Sequence, residues 1–153
     1  MSGLVEFSRL WSSPDCPPVP VSADQIGDAQ QALVFSFPDT WRRAVLDVGL
    51  PRPTSRLWAA IDASGRSLAR VAAFLTPAEM VEARRAGDFY VMPADLVPFA
   101  TDSDGDLIAF RRGAGNDAVW LFDLDLGTTE QLSPSFDAWL ASYADLAPVP
   151  ERG

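Results

Sequence analysis

Along the chain, apolar residues recur first at helical spacing and later at strand spacing. Ile26, Ala29 and Leu33 fall three and four positions apart, so a helix carries them on one face. Ser22 precedes them and Gln25 follows three residues later, a capping-box pattern that opens this helix. A second helix starts at Pro38 and Asp39, where proline's missing N–H and an acid in the first turn both suit the terminus. Its apolar stripe is Trp41, Val45, Leu46 and Val48. Gly49 is expected to end it in the left-handed conformation, and Pro51 and Pro53 prevent continuation. Thr76, Pro77 and Glu79 open a third helix that runs to Gly87. A closing helix near 135–146 puts Phe136, Trp139, Leu140 and Tyr143 on one face. Ahead of these, residues 5–11 fit a short helix, and Pro14 to Pro20 read as an extended lead-in.

The strand signals are shorter. Residues 57–61 and 68–74 read as two strands around the turn Asp62-Ala63-Ser64-Gly65. Three more follow at 97–101, 107–111 and 118–123, separated by turns at 102–105 and 113–117, with a short edge strand near 130–132. Helices and strands do not alternate regularly, which argues against a parallel doubly wound sheet. The expected fold is α+β, an antiparallel sheet flanked by helices in one domain. Residues 1–21 form a proline-rich lead-in, 22–146 the domain and 147–153 a tail.

Composition fits that class. Of 153 residues, 48% are apolar and 22% charged, which is ordinary for a folded domain. A chain of this length buries roughly 70% of its unfolded surface and needs no metal or disulfide to fold. Cys16 is the only cysteine, so no intrachain disulfide forms, and a reducing compartment suits it. Residues 1–10 do not read as a signal peptide. No apolar run reaches the roughly 18 residues a membrane span needs. The chain is read as soluble and cytoplasmic, or exported by a route the sequence does not show. All twelve basic residues are arginine, a bias that fits a GC-rich genome.

Charge changes the picture more. The net charge is −9, and its distribution is uneven. Up to Gly87, nine acids face nine arginines; from Asp88 to Asp145, eleven acids face only Arg111 and Arg112; Glu151 and Arg152 cancel. The whole excess lies in the second part. Such a field repels nucleic acid and anionic membranes, and it favours encounter with a basic protein.

Catalytic chemistry has little to work with. Histidine is absent, which removes the usual general base, the usual zinc ligand and any Ser-His or Cys-His pair. Cys16 sits among prolines and reads as a tolerated loop residue. No P-loop or dinucleotide glycine motif occurs. Asp102-x-Asp104-x-Asp106 resembles the opening of a calcium loop, but Leu107 and Gly113 occupy the positions that need glycine and glutamate. A hairpin turn is the plainer reading, and no metal or cofactor is expected. Of the five tryptophans, Trp41 and Trp139 lie on apolar helical faces and read as core. Trp58 and Trp120 are ambiguous, because apolar residues flank them on both sides. Trp120 with Asp123 and Asp125 reads as an aromatic anchor with an acidic rim. With the acidic turns, the candidate partner-binding set is Asp102, Asp104, Asp106, Asp117, Trp120, Asp123 and Asp125.

Four pieces in order resemble one family. They are Phe37-Pro38-Asp39-Thr40-Trp41; Phe74-Leu75-Thr76-Pro77-Ala78-Glu79; Val97-Pro98-Phe99-Ala100 with the turn Asp102-Ser103-Asp104-Gly105-Asp106-Leu107; and Val119-Trp120-Leu121-Phe122-Asp123 followed by Ser135-Phe136-Asp137-Ala138-Trp139-Leu140. Their order and spacing over about 22–146 resemble the SUKH superfamily. One departure is Asp47-Val48-Gly49-Leu50-Pro51, where many members carry Asn-Gly-Gly. The resemblance implies an α+β domain around an antiparallel sheet and a binding role without catalysis. For a bacterial member it implies an immunity protein that neutralises a cognate toxin, often a nuclease. The alternative it implies is a regulatory scaffold with a different protein partner. A carboxylate-only, metal-dependent enzyme is the third reading.

Overall fold

A computed structural model of the chain describes residues 3–13, 15–87, 92–113 and 117–146. In chain order the elements are α1 (Gly3–Trp11), α2 (Ala23–Leu33), α3 (Asp39–Val48), α4 (Ser55–Ser64), β1 (Val71–Phe74), α5 (Pro77–Gly87), β2 (Leu96–Asp102), β3 (Leu107–Arg111), β4 (Val119–Asp123), β5 (Thr128–Ser133) and α6 (Phe136–Ala144). The five strands form one antiparallel sheet in sequential order, β1 to β5. The α+β fold is therefore as expected. The 147–153 tail, Asp88 and residues 114–116 of the turn expected at 113–117 lie outside the described residues.

Helix starts follow from local hydrogen bonding. Ser22 and Gln25 exchange side-chain-to-backbone bonds at 2.9 and 3.1 Å, and Thr76 and Glu79 do the same at 2.9 and 3.2 Å. Each pair satisfies amide donors that the first helical turn leaves free. Ser135 accepts the Ala138 N–H at 3.1 Å and starts α6. Its Phe136, Trp139, Leu140 and Tyr143 are all buried, as the spacing predicts.

Five expectations from the sequence are corrected by the fold. Residues 57–61 are not a strand but the middle of α4. Leu57, Ala60 and Ile61 are its buried positions, at spacings of three and four, and Thr54 caps the start by accepting the Arg56 N–H at 3.4 Å. The turn expected at 62–65 is this helix's end, with Gly65 left-handed at φ 70°. The strand expected at 68–74 begins only at Val71. On α3, Leu46 points out and is 47% exposed, because Trp41, Ala44 and Val45 form the buried face. Gly49 does take a positive φ of 93°, but its ψ of −167° is extended, not left-handed helical. A side chain there would come within 2.6 Å of the Val19 carbonyl oxygen. Only glycine lets the chain pass close enough for the bridge between Val19 and Leu50.

The main core lies on one side of the sheet. Phe99 stacks on Phe110 at 4.2 Å and meets Trp139 and Phe136 edge-on. Phe7 of α1 meets Phe74 and Tyr143 edge-on, so the first helix belongs to this same core. Trp11, Trp41 and Trp139 are buried within it. A smaller cluster on the other side joins Met92, Leu96, Ala109 and Phe122, with Leu107, Trp120 and Leu124 against it. Pro98, which cannot donate a ladder hydrogen bond, sits where the register of β2 against β3 shifts.

Candidate partner-binding surface

Antiparallel order fixes where the candidate acids lie. Leu107 pairs with Phe122, so the β2–β3 turn and the β4–β5 turn share one end of the sheet. Asp102, Asp104, Asp106, Asp123 and Asp125 gather there. Asp117, in the β3–β4 connection, lies at the opposite end. There it lines an open recess with Ser36, Asp39, Thr40 and Arg42 at the start of α3.

Two of the five gathered acids fasten their own turns, and a third ties the two turns together. Asp102 is buried, and its Oδ1 accepts the N–H groups of Asp104 and Asp106, each at 2.9 Å. Asp106 Oδ1 accepts the Leu124 N–H at 3.2 Å and ties one turn to the other. Asp123 Oδ1 accepts the N–H groups of Asp125 and Leu126, each at 2.9 Å. Aspartate suits these places because its short side chain mimics a backbone turn. Asp104 and Asp125 are exposed and are the carboxylates most open to a partner.

The electrostatics follow from this crowding. Burial raises the Asp102 carboxyl above the ordinary aspartate value of 3.8, against the opposing pull of its backbone donors. Asp106 is raised for the same first reason, with further repulsion from Asp102, Asp123 and Asp104. Both arginines of the second part are used elsewhere. Arg111 pairs with Asp95 at 2.6 Å and lies 4.8 Å from the Trp120 ring centre. Arg112 donates to the Val34 and Leu33 carbonyl oxygens at 2.7 and 2.5 Å, closing the end of α2. Both stand at the far end of β3 from the acidic turns.

Trp120 is half-buried and faces Ala109 across the sheet. Strand alternation directs Trp120 to one face and Asp123 to the other. The two are brought onto one strand but not onto one surface patch. What sequence reasoning missed here is nonlocal: no local pattern marks Arg112 as the residue that closes α2, 78 positions away from Val34. The inward turn of the Asp102 oxygens had a readable signal, since Asp-x-Asp-x-Asp over a glycine turn is a known Asx-turn setting.

The remaining chemistry is sparse. Among the described residues, no group of three or more His, Cys, Asp or Glu is placed to hold a metal ion. No helix of the described residues is long and apolar enough to cross a membrane. A cleft of about 680 Å³ between α1, α3 and α6 is lined by Gly3, Thr40, Arg43, Ala44, Asp47, Asp137 and Ala141, which supply no paired nucleophile and base.

A sequential antiparallel sheet with helices packed against its main core defines an α+β domain. The profile of the SMI1 / KNR4 family (SUKH-1) matches residues 20–142, and the chain belongs to that family. No curated protein matches the sequence. The family includes immunity proteins and regulatory domains, and its members are generally not enzymes.

Proposed function

We propose that this chain is an immunity protein that binds a cognate bacterial toxin through its acidic surface and thereby neutralises it. Membership of the SUKH-1 family over residues 20–142 is the observation that carries the reading. Charge narrows the partner. The net −9 originates in the part after Gly87, and Asp104 and Asp125 are exposed at the hairpin tips. A basic toxin fits that field, and a nuclease is the natural case, because a surface built to hold phosphate is itself basic. The protein would act where the toxin acts, in the cytoplasm, and would do so by occupancy, without chemistry of its own.

The test is co-expression with the toxin encoded beside this gene, paired with co-purification. Survival of the cells and a stable complex are expected. Cells that die and proteins that do not associate would sink the reading. Recovery of a housekeeping protein instead of a toxin would assign the chain to the regulatory branch of the family.

A further inference from the structure

The sheet has two edges, and the fold treats them differently. At one edge, β1 spans four residues. Its Val71 carbonyl accepts the Trp58 indole N–H at 3.1 Å, so a side chain of α4 occupies that margin. Tyr143 donates to the Ala69 carbonyl at 2.6 Å just before it. At the other edge, β5 spans six residues and pairs with β4 alone. Among the described residues, no backbone group of β5 bonds to any segment beyond the sheet. Only the Gln131 side chain turns back, onto the Ser133 carbonyl at 3.3 Å.

An unpaired edge is a row of donors and acceptors that proteins ordinarily blunt with charged residues, proline, bulges or brevity. The sequence Thr-Thr-Glu-Gln-Leu-Ser of β5 has no lysine or proline and a single charge, Glu130, and its one register shift against β4 lies at the Ser133 end, which leaves residues 128–131 in regular pairing. Thr128, Glu130 and Gln131 are exposed, and Leu126, in the turn leading into β5, is 75% exposed.

Charge names the occupant. From 113 to 146 the chain holds Asp117, Asp123, Asp125, Glu130, Asp137 and Asp145, and no arginine or lysine. A second copy meeting this edge would join two molecules of charge −9, with like charges brought together along the edge. We infer that the outer edge of β5 is a docking site for an extended arginine- or lysine-bearing segment of a partner protein, which adds a sixth strand to the sheet. Backbone bonds hold such a segment, and its alternate side chains reach Glu130 on one side of the sheet and the Thr129–Gln131 row on the other. Leu126 offers an apolar contact at one end. The inference deepens the toxin-binding reading and rests on it for who the partner is, but not for how the edge is filled.

The experiment is amide hydrogen exchange on the full chain with a blocked peptide of alternating arginine and valine. Exchange at residues 128–133 is expected to slow by about tenfold at saturating peptide, as new ladder bonds protect the edge. The same peptide N-methylated along its backbone keeps its charge but loses its donors, and should give no slowing. A glutamate-valine peptide should give none either. Glu130→Lys, at an exposed position whose fold is checked by thermal melting, should weaken the effect of the basic peptide. Slowing that is absent at 128–133, or equal with the N-methylated peptide, overturns the docking site and leaves the co-expression result to judge the toxin reading. A toxin complex whose protection falls wholly off 128–133 also overturns it, with the immunity reading intact.

Discussion

Asp102 carries two demands in one side chain. Its Oδ1 must accept two backbone N–H groups, and its charge must survive burial near Asp104 and Asp106. Asparagine meets the first demand and removes the second. Asp102→Asn is therefore expected to be at least as stable as the parent at neutral pH. Asp102→Ala leaves two turn donors unanswered and should cost about 1–3 kcal/mol. The pH dependence has a definite sign. The folded-state pKa lies above the ordinary 3.8, so ionisation opposes folding. Rising pH removes stability from the parent between 3.8 and the higher folded value, and Asp102→Asn has no such loss from this site. Urea unfolding of the three proteins between acid and neutral pH checks it; a parent that gains on Asp102→Asn as pH rises through that window would contradict it. Val34 gives a second prediction at this scale. It ends α2 left-handed, at φ 51° and ψ 50°, a conformation that costs a β-branched residue about 1–2 kcal/mol. Its side chain is 84% exposed and contributes little burial in return. Val34→Asn keeps the Arg112 contacts, which use backbone oxygens, and should add about 1 kcal/mol of stability, read as a higher urea midpoint.

Among the elements, α1 has the most to reveal. It precedes the residues that match the family, yet Leu4, Phe7 and Trp11 are all fully buried. Phe7 contacts the rings of Phe74 at 5.4 Å and Tyr143 at 5.6 Å. Phe7→Ala should cost about 3–5 kcal/mol, the usual range for opening such a cavity. A small loss in chemical unfolding would show that α1 docks without supporting the core. How much of the fold could be read from sequence divides along the same line of local against distant causes. The starts of α2 and α5 were legible because serine or threonine is followed three residues later by glutamine or glutamate, and α6 was legible from the spacing of its apolar face. The hairpins β2 to β4 were legible because Asp and Gly mark the first turn. Residues 57–61 were not, since five apolar-rich residues do not distinguish a strand from a buried helix turn. The decision there came from Thr54 and from packing. At the candidate site, the acidic turns were legible as turns. Which oxygens face inward, which end of the sheet Asp117 occupies and which edge α4 covers depend on pairing across the fold, and no local pattern records them.

At the scale of the molecule, the question is what the −9 net charge does in a complex. The arginines of the second part are committed to Asp95, Trp120 and the end of α2, so they do not offset the acids of the two hairpin turns. Exposed charges at the rim of an interface act mainly on encounter, whereas buried pairs act on residence. Asp104, Asp125 and Glu130 are exposed and should belong to the first kind. The expected signature with the cognate toxin is an association rate that falls steeply with salt, as the Debye length shrinks from roughly 30 Å at 0.01 M to roughly 8 Å at 0.15 M. Asp104→Asn combined with Asp125→Asn should lower that rate at low salt by several-fold, leave the dissociation rate nearly unchanged and flatten the salt slope. Glu130→Lys should do more, because it also sits on the strand edge where a basic segment would run. Stopped-flow association at several ionic strengths separates these effects. If the double variant changes only the dissociation rate, those two carboxylates lie inside a desolvated contact. If it changes neither rate, the toxin is held away from the hairpin turns, and the acidic excess serves the free protein instead of the complex.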